Sequence, residues 1–150
     1  MIKLKQKRIA MKNKLHLTCQ TSALSELRTF LHGTLSEVQL NDIERHQVTL
    51  AVEEVCANLI IHSHSCNPKE KIELEILKNR NEVIFEITDQ GEAFNLLDYD
   101  TPELKQVVEE KRKGGLGIIL VKKIMDEIEF ESKNGKNICR LIKIFPLRED

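Results

Sequence analysis

The sequence predicts an α+β fold, a two-layer sandwich in which about three helices cover one face of a mixed, mostly antiparallel sheet. Two patterns support this prediction. Segments with alternating apolar residues come in pairs joined by turn residues, which is typical of antiparallel hairpins. Segments with helical periodicity are grouped between these pairs, whereas a parallel doubly wound sheet needs strict alternation of strands and helices. A chain of 150 residues suits one domain with a sizeable core.

Composition and charge limit the function classes open to this chain. The formal net charge is -1, which gives no overall attraction to nucleic acid or to a membrane, and we predict neither as a direct partner. The 4 cysteines are scattered without CxxC spacing, which predicts reduced thiols in a cytoplasmic protein. Residues 1–13 are predicted to be a basic leader, either solvated or a docking arm. One domain at 14–146 and a tail at 147–150 follow.

The first half of the domain is predicted to form one strand and two helices. Residues 15–19 alternate as a short strand, and a helix over 21–38 begins at Thr21 or Ser22. A second helix begins at Asn41 or Asp42 and runs to about residue 63. Helical spacing predicts these core-facing residues: Leu24, Leu27, Phe30, Leu31 and Leu35 in the first helix, and Ile43, Val48, Ala51, Val52, Val55, Cys56, Leu59 and Ile60 in the second.

The second half is predicted to contain two hairpins around a long connection. Two strands are predicted at 71–79 and 82–89, joined by a turn at 79–81. Each has one apolar face and one polar, solvent-exposed face. Residues 90–115 have little apolar periodicity apart from a short helix at about 102–111, and such a long segment is usually functional or disordered. An amphipathic helix over about 116–127 precedes a final hairpin that turns at 134–137.

Glu54 and Asn58 are polar residues in the apolar segment EEVCANLIIH. They are four positions apart and therefore project from one face of the second helix. One interpretation is a solvated polar stripe shared with Glu53, His62 and Arg45. The other is a pocket in which the Asn58 oxygen binds Mg²⁺, which prefers hard oxygen ligands, while Glu54 orients or deprotonates a hydroxyl.

Two further segments each permit a structural and a functional interpretation. In DQGEAF, Asp89 and Gly91 suit a simple turn, but Asp89 could equally accept hydrogen bonds from an exocyclic amine such as that of adenine. In KGGLGI, the glycines could be a flexible turn or could expose backbone N–H groups to an anion at a helix start, next to the positive charge of Lys113. This glycine segment is neither a Walker loop nor a Rossmann fingerprint. Together the three segments describe sites for a metal, a base and phosphates.

In this order the motifs resemble the Bergerat-fold (GHKL) ATP-binding domain, and more narrowly the anti-sigma serine/threonine kinases of bacterial partner-switching systems. EEVCANLIIH resembles the N box, DQGEAF the first glycine box and KGGLGI the start of the second. The resemblance implies that Glu54 is the catalytic base, Asn58 the magnesium ligand and Asp89 the adenine anchor. It also implies an ATP lid at 95–113 and these further nucleotide contacts: His62, Gly91, Phe94, Lys113, Gly114, Gly115, Leu116 and Gly117.

The same resemblance implies an activity and partners. Such a protein uses Mg-ATP, holds a sigma factor away from RNA polymerase, phosphorylates a Ser or Thr of a STAS-domain antagonist, and forms a homodimer. The family usually has Gly-Thr before its last strand, whereas Lys136 follows Gly135 here. The alternative is therefore a non-catalytic ATP-binding module that regulates a partner. A histidine-kinase catalytic half is disfavoured because His32 lacks the acidic neighbour of a phospho-acceptor. A metal site at His62, His64 and Cys66 lacks a completing cluster.

Overall fold

The computed structural model describes residues 8–10, 14–18, 20, 22–60, 71–90 and 115–146, with residues 115–118 described by their backbone alone. Its strands are β1 (Ile9–Ala10), β2 (Leu15–Leu17), β3 (Ile72–Lys78), β4 (Glu82–Asp89), β5 (Glu127–Lys133) and β6 (Lys136–Ile144). Its helices are α1 (Ala23–Leu35), α2 (Asp42–Asn58) and α3 (Gly115–Ile124). The predicted short helix at 102–111 and the predicted lid at 95–113 lie outside the described residues.

The strands form one sheet in which every described pairing is antiparallel. The order is β1-β3-β4-β6-β5, and β2 also pairs with β3, beside the part of β3 that β1 leaves free. The β3–β4 hairpin turns at residues 79–81 as predicted, and the β5–β6 hairpin turns at Asn134 and Gly135. This sheet and its helices confirm the predicted α+β class. The strand at Ile9–Ala10 was not predicted, because two residues are too few to show an alternating pattern.

The core lies between the sheet and the three helices of the described chain. Each helix places an apolar stripe on the sheet, and α2 contacts both α1 and α3. The largest fully buried side chains include Phe85, Leu74 and Leu27. Two predicted core residues are wrong: Ile43 is 71% exposed and Leu24 is 40% exposed. Ile43 lies two helical turns before Leu50, which is also exposed, so it is on the side of α2 that faces away from the core. Leu24 follows the buried Ala23 but is itself only partly covered.

Helix starts and ends follow local hydrogen bonding. Asn41 caps α2: its Oδ1 accepts from the backbone N–H of Glu44 at 2.8 Å, and the Glu44 carboxylate accepts from the Asn41 N–H at 3.2 Å. Ser22 precedes α1 but forms no side-chain cap, because its own backbone is already helical. Helix α3 ends at Ile124, three residues earlier than predicted, because the Asp126 N–H already bonds to Ile142 on β6.

The outer face of the sheet is less exposed to solvent than the sequence pattern predicted. Glu86 and Arg140 pair there across β4 and β6, with Nε of Arg140 3.0 Å from the Glu86 carboxylate. The same face, however, carries Ile84 and its cross-strand partner Ile142, and both are fully buried. Among the described helices, none is both long and apolar enough to cross a lipid bilayer.

Candidate functional site

Helix α2 places Glu54 and Asn58 on a flank that is turned away from α1. The neighbouring residue, Glu53, faces α1, where its carboxylate binds the guanidinium of Arg28. Successive helical residues differ by about 100° around the axis. Glu54 therefore points about 100° away from Glu53, and Asn58, four residues later, points to nearly the same side as Glu54. Glu53 is thus bound to α1, whereas Glu54 and Asn58 face another direction.

Asn58 and Glu54 have polar groups that are not paired with other described residues. The Nδ2 atom of Asn58 is buried and has no hydrogen-bond partner in the described part of the chain. Glu54 is half-buried and forms no ion pair with those same residues. An unpaired buried donor destabilises a fold by about 1–3 kcal/mol. A carboxamide and a carboxylate held in this state on adjacent turns are available to a polar ligand.

A second polar group lies at one end of the sheet. Asp89 is the last residue of β4 and is only 3% exposed. Its cross-strand partner on β6 is Asn137, which is 5% exposed. The Oδ1 atom of Asn137 accepts a hydrogen bond of 3.0 Å from the hydroxyl of Ser132 on β5. Carboxylate, carboxamide and hydroxyl thus form a row across three adjacent strands.

Two buried cysteines connect α2 to this end of the sheet. Burial, together with the smaller effect of the negative charge of Asp89, raises the pKa of Cys139 on β6 to about 12. Burial also raises the pKa of Cys56 on α2 to about 12, with smaller contributions from Cys139 and Glu53. Such mutual effects fall off steeply with distance. Cys56 on α2 and Cys139 on β6 therefore face each other within the same buried core.

The remaining predicted site residues are placed only in part. Gly115 is the first residue of α3, and Leu116 and Gly117 lie in its first turn. Helix α3 packs on α2, the helix that carries Glu54 and Asn58. Five predicted contacts lie outside the described residues: His62, Gly91, Phe94, Lys113 and Gly114.

Sequence reasoning missed Asn137 and Ser132. Asn137 was assigned to the turn at 134–137, but that turn occupies only Asn134 and Gly135, which both have positive φ. The sequence does contain a pattern that could have identified Asn137. Asn137 precedes Cys139 and Leu141 at alternating positions, so it continues the core-facing side of β6. A polar residue on that side of a strand is worth singling out.

Two cavities in the described chain lie away from this site. One of about 570 Å³ adjoins the β3–β4 turn, at the end of the sheet opposite Asp89, and is lined by Ile9, Asn79 and Phe145 among others. The other, of about 310 Å³, lies between the end of α1 and the start of α2, next to His32 and His46. Neither cavity includes Glu54, Asn58 or Asp89.

Comparison with known proteins gives consistent results. The profile described as "Histidine kinase-like ATPase domain" matches residues 17–143. The serine-protein kinase RsbW of Bacillus velezensis is 27% identical over 120 residues, which are 75% of this chain and 73% of that protein. The anti-sigma F factor of Anoxybacillus flavithermus is 28% identical over 138 residues, which are 89% of this chain and 93% of that protein.

A solved structure shows the same fold. A chain in the crystal structure of the SiaB-SiaC complex from Pseudomonas aeruginosa superposes with a TM-score of 0.58 at 15% identity, covering 89% of both chains. The matched region of the family profile contains every described helix and nearly the whole sheet. This protein therefore belongs to the histidine kinase-like ATPase domain family.

Proposed function

We propose that this protein is an anti-sigma factor with serine/threonine kinase activity. It holds a sigma factor away from RNA polymerase in the cytoplasm and phosphorylates a STAS-domain antagonist with ATP. The observation that carries the proposal is the state of Glu54 and Asn58 on adjacent turns of α2: Glu54 is half-buried, and the buried amide nitrogen of Asn58 has no hydrogen-bond partner among the described residues. The buried Asp89 at the end of β4 supports it. Membership of an ATPase family and similarity to proteins named serine-protein kinase RsbW and anti-sigma F factor support it.

Asp89 and the start of α3 bind the two ends of the nucleotide in this proposal. The Asp89 carboxylate only accepts hydrogen bonds, which matches the exocyclic amine of adenine. Gly115 and Gly117 bring backbone N–H groups of the first turn of α3 toward the phosphates, where the helix dipole favours negative charge. Gly91, Phe94, Lys113, Gly114, Leu116 and His62 complete the nucleotide contacts.

Asn58 fits a magnesium ligand. The buried amide nitrogen of its carboxamide has no hydrogen-bond partner among the described residues, so those residues do not hold this nitrogen in place. An amide oxygen is a hard ligand of the kind Mg²⁺ takes, with water and phosphate oxygens in the other positions. The ion, when bound, would neutralise phosphate charge.

Glu54 acts as the base. Its carboxylate accepts the proton of the attacking serine or threonine hydroxyl as the new P–O bond forms and ADP leaves with the electrons of the broken bond. Its position one helical turn from Asn58, the proposed magnesium ligand, supports a role beside the phosphates. The adjacent Glu53 is less suited to this role, because its carboxylate is bound to Arg28 of α1.

Adjacent glutamates provide a matched test. Wild-type protein, Glu54→Gln and Glu53→Gln are each incubated with Mg-ATP and a candidate STAS-domain antagonist, and phosphate transfer is followed by mass spectrometry. We expect Glu54→Gln to bind ATP with normal affinity and lose transfer by about 10²–10⁴-fold, the usual contribution of a general base. Glu53→Gln should keep transfer. Normal transfer by Glu54→Gln would refute the base assignment.

The non-catalytic alternative gives a different result in the same assay. A regulatory module would bind ATP at equilibrium but transfer phosphate to no STAS-domain protein, in wild type as in the variants. Co-purification of a sigma factor, and a mass twice that of the 17.3 kDa chain by light scattering, test the proposed partner and the proposed homodimer.

A further inference from the structure

The cavity of about 570 Å³ beside the β3–β4 turn has the size and the lining of a ligand site. Parts of β1, the connection from α1 to α2, the β3–β4 turn and the residue after β6 meet there. Its apolar side chains are those of Ile9, Val38 and Phe145. Sites for small molecules typically measure about 300–1,000 Å³ and combine an apolar lining with a few polar groups. This cavity fits that description.

Local hydrogen bonds hold the walls of this cavity in place. The Phe145 N–H donates to the Asn81 carbonyl at 2.8 Å, which ties the end of β6 to the β3–β4 turn. Within that turn, Oδ1 of Asn79 accepts from the Asn81 N–H at 3.1 Å. In the connection from α1 to α2, the Val38 carbonyl accepts from Nη2 of Arg45 at 3.2 Å. These bonds lie within the protein, so the cavity does not depend on a ligand for its shape.

The charged groups of the cavity favour an anion. Lys78 and Arg80 line it, both are exposed, and neither forms an ion pair with the described part of the chain. Glu82, the acid of the same turn, is paired instead with Arg8, whose Nε lies 4.0 Å from its carboxylate. Glu37 supplies the single carboxylate among the described residues of the lining. Two positive charges against one negative charge leave a positive field at the cavity.

We propose that this cavity binds an organic anion with an apolar body. The body packs against Ile9, Val38 and Phe145, and the acid group meets the ammonium of Lys78 and the guanidinium of Arg80. Each part contributes separately: apolar contact is gained from the area removed from water, and the charges add attraction that salt weakens. A neutral apolar molecule therefore binds less tightly than an anion of the same shape.

The cavity is separate from the proposed nucleotide site. Glu82 begins β4 next to the cavity, and Asp89 ends the same strand. At a rise of about 3.3 Å per residue, the two ends of this strand are about 23 Å apart. A molecule in the cavity therefore does not compete directly with a nucleotide at Asp89. The inference does not rest on the proposed function.

Two fluorescent probes with one aromatic framework test the site. Anilinonaphthalene sulfonate carries an anionic group, and phenylnaphthylamine is the same framework without it. Each is titrated into the full chain, with and without Mg-ATP, and the Kd is taken from the fluorescence increase. We expect the sulfonate to bind more tightly than the neutral probe, to lose affinity at high salt, and to be unaffected by Mg-ATP.

Variants assign the binding to this cavity. Lys78→Ala and Arg80→Ala should each raise the Kd of the sulfonate about threefold and together about tenfold, the scale of exposed ion pairs, without changing the Kd of the neutral probe. Ile9→Asn should weaken both probes, because Ile9 contributes apolar surface. Lys133→Ala removes an exposed cation of the other hairpin and is the matched control, with no expected effect.

Several results would overturn the inference. They are displacement of the sulfonate by Mg-ATP, equal affinity for the two probes, and an unchanged Kd in the variant that lacks both Lys78 and Arg80. These two side chains are exposed, so their variants should melt at the wild-type temperature, and the binding comparison uses folded protein. None of these results bears on phosphate transfer, which the Glu54→Gln assay measures on its own. Failure of that assay would likewise leave the cavity proposal standing.

Discussion

Arg28 on α1 binds both carboxylate oxygens of Glu53 on α2. Nε of Arg28 lies 2.8 Å from Oε1, and Nη2 lies 3.3 Å from Oε2. The hydrogen bond to Glu53 raises the pKa of Arg28, so the guanidinium stays charged. The pair links the two helices. The rotation of α2 about its axis is set by its buried apolar residues, which include Val52 and Cys56.

The Arg28–Glu53 pair is predicted to contribute little to stability. The Arg28 side chain is 60% exposed, although that of Glu53 is only 13% exposed, and exposed pairs typically contribute about 0.2–1 kcal/mol. Urea unfolding of Arg28→Ala, Glu53→Ala and the double variant measures the coupling energy. We expect a value in that range, which should shrink at high salt. A coupling of several kcal/mol would show that the pair is far less solvated than its exposure indicates.

Asn58→Ala is predicted to leave the free energy of unfolding unchanged or raise it slightly. The substitution removes a buried amide nitrogen that has no partner among the described residues, which offsets the packing that is lost. Magnesium-dependent ATP binding should nevertheless weaken, because the proposed oxygen ligand is gone. Chemical denaturation and ATP titration with and without Mg²⁺ measure the two effects. A large loss of stability with unchanged magnesium dependence would make Asn58 a structural residue.

Asn41→Ala is predicted to destabilise the protein by about 1 kcal/mol, the usual effect of removing an N-cap side chain. The Asn41 side chain accepts from the Glu44 N–H, and that donor would lose its partner. Asn41→Asp is the matched control, because aspartate caps as well as asparagine and adds a charge that the helix N-terminus favours. Circular dichroism during urea unfolding measures both. Equal destabilisation by the two variants would contradict the capping role.

Buried Cys56 and Cys139 are predicted to make the fold alkali-sensitive. Burial raises the pKa of each thiol from the ordinary 9.0 to about 12. The folded state therefore keeps protons that the unfolded chain releases, so this contribution is complete below pH 9 and falls as the pH rises toward 12. The free energy of unfolding should fall less steeply in this range for Cys56→Ala/Cys139→Ala than for wild type. Parallel slopes would show that the thiols do not contribute.

The local elements could be predicted because their patterns lie within short segments. Alternation at residues 71–79 and 82–89 predicted both strands of the first hairpin, and the cap candidates Asn41 and Asp42 predicted the start of α2. The spacing of Glu54 and Asn58 placed them on one helical face, which is a property of helix geometry alone. The prediction for Ile43 was wrong because this apolar residue shares a helical face with the exposed Leu50, not with the buried stripe of α2. Leu24 matches the periodicity of α1, and periodicity alone does not reveal its 40% exposure.

The amino-acid sequence by itself determined which residues share a face of a helix or strand, since that depends on a repeat of two or of 3.6 residues. Only the tertiary structure decided which faces meet. It set Asn137, rather than Lys136, opposite Asp89, paired Glu53 with Arg28, and buried Ile84 although the sequence predicted a polar face there. These outcomes depend on strand register and helix rotation, which are fixed by contacts between segments far apart in the chain.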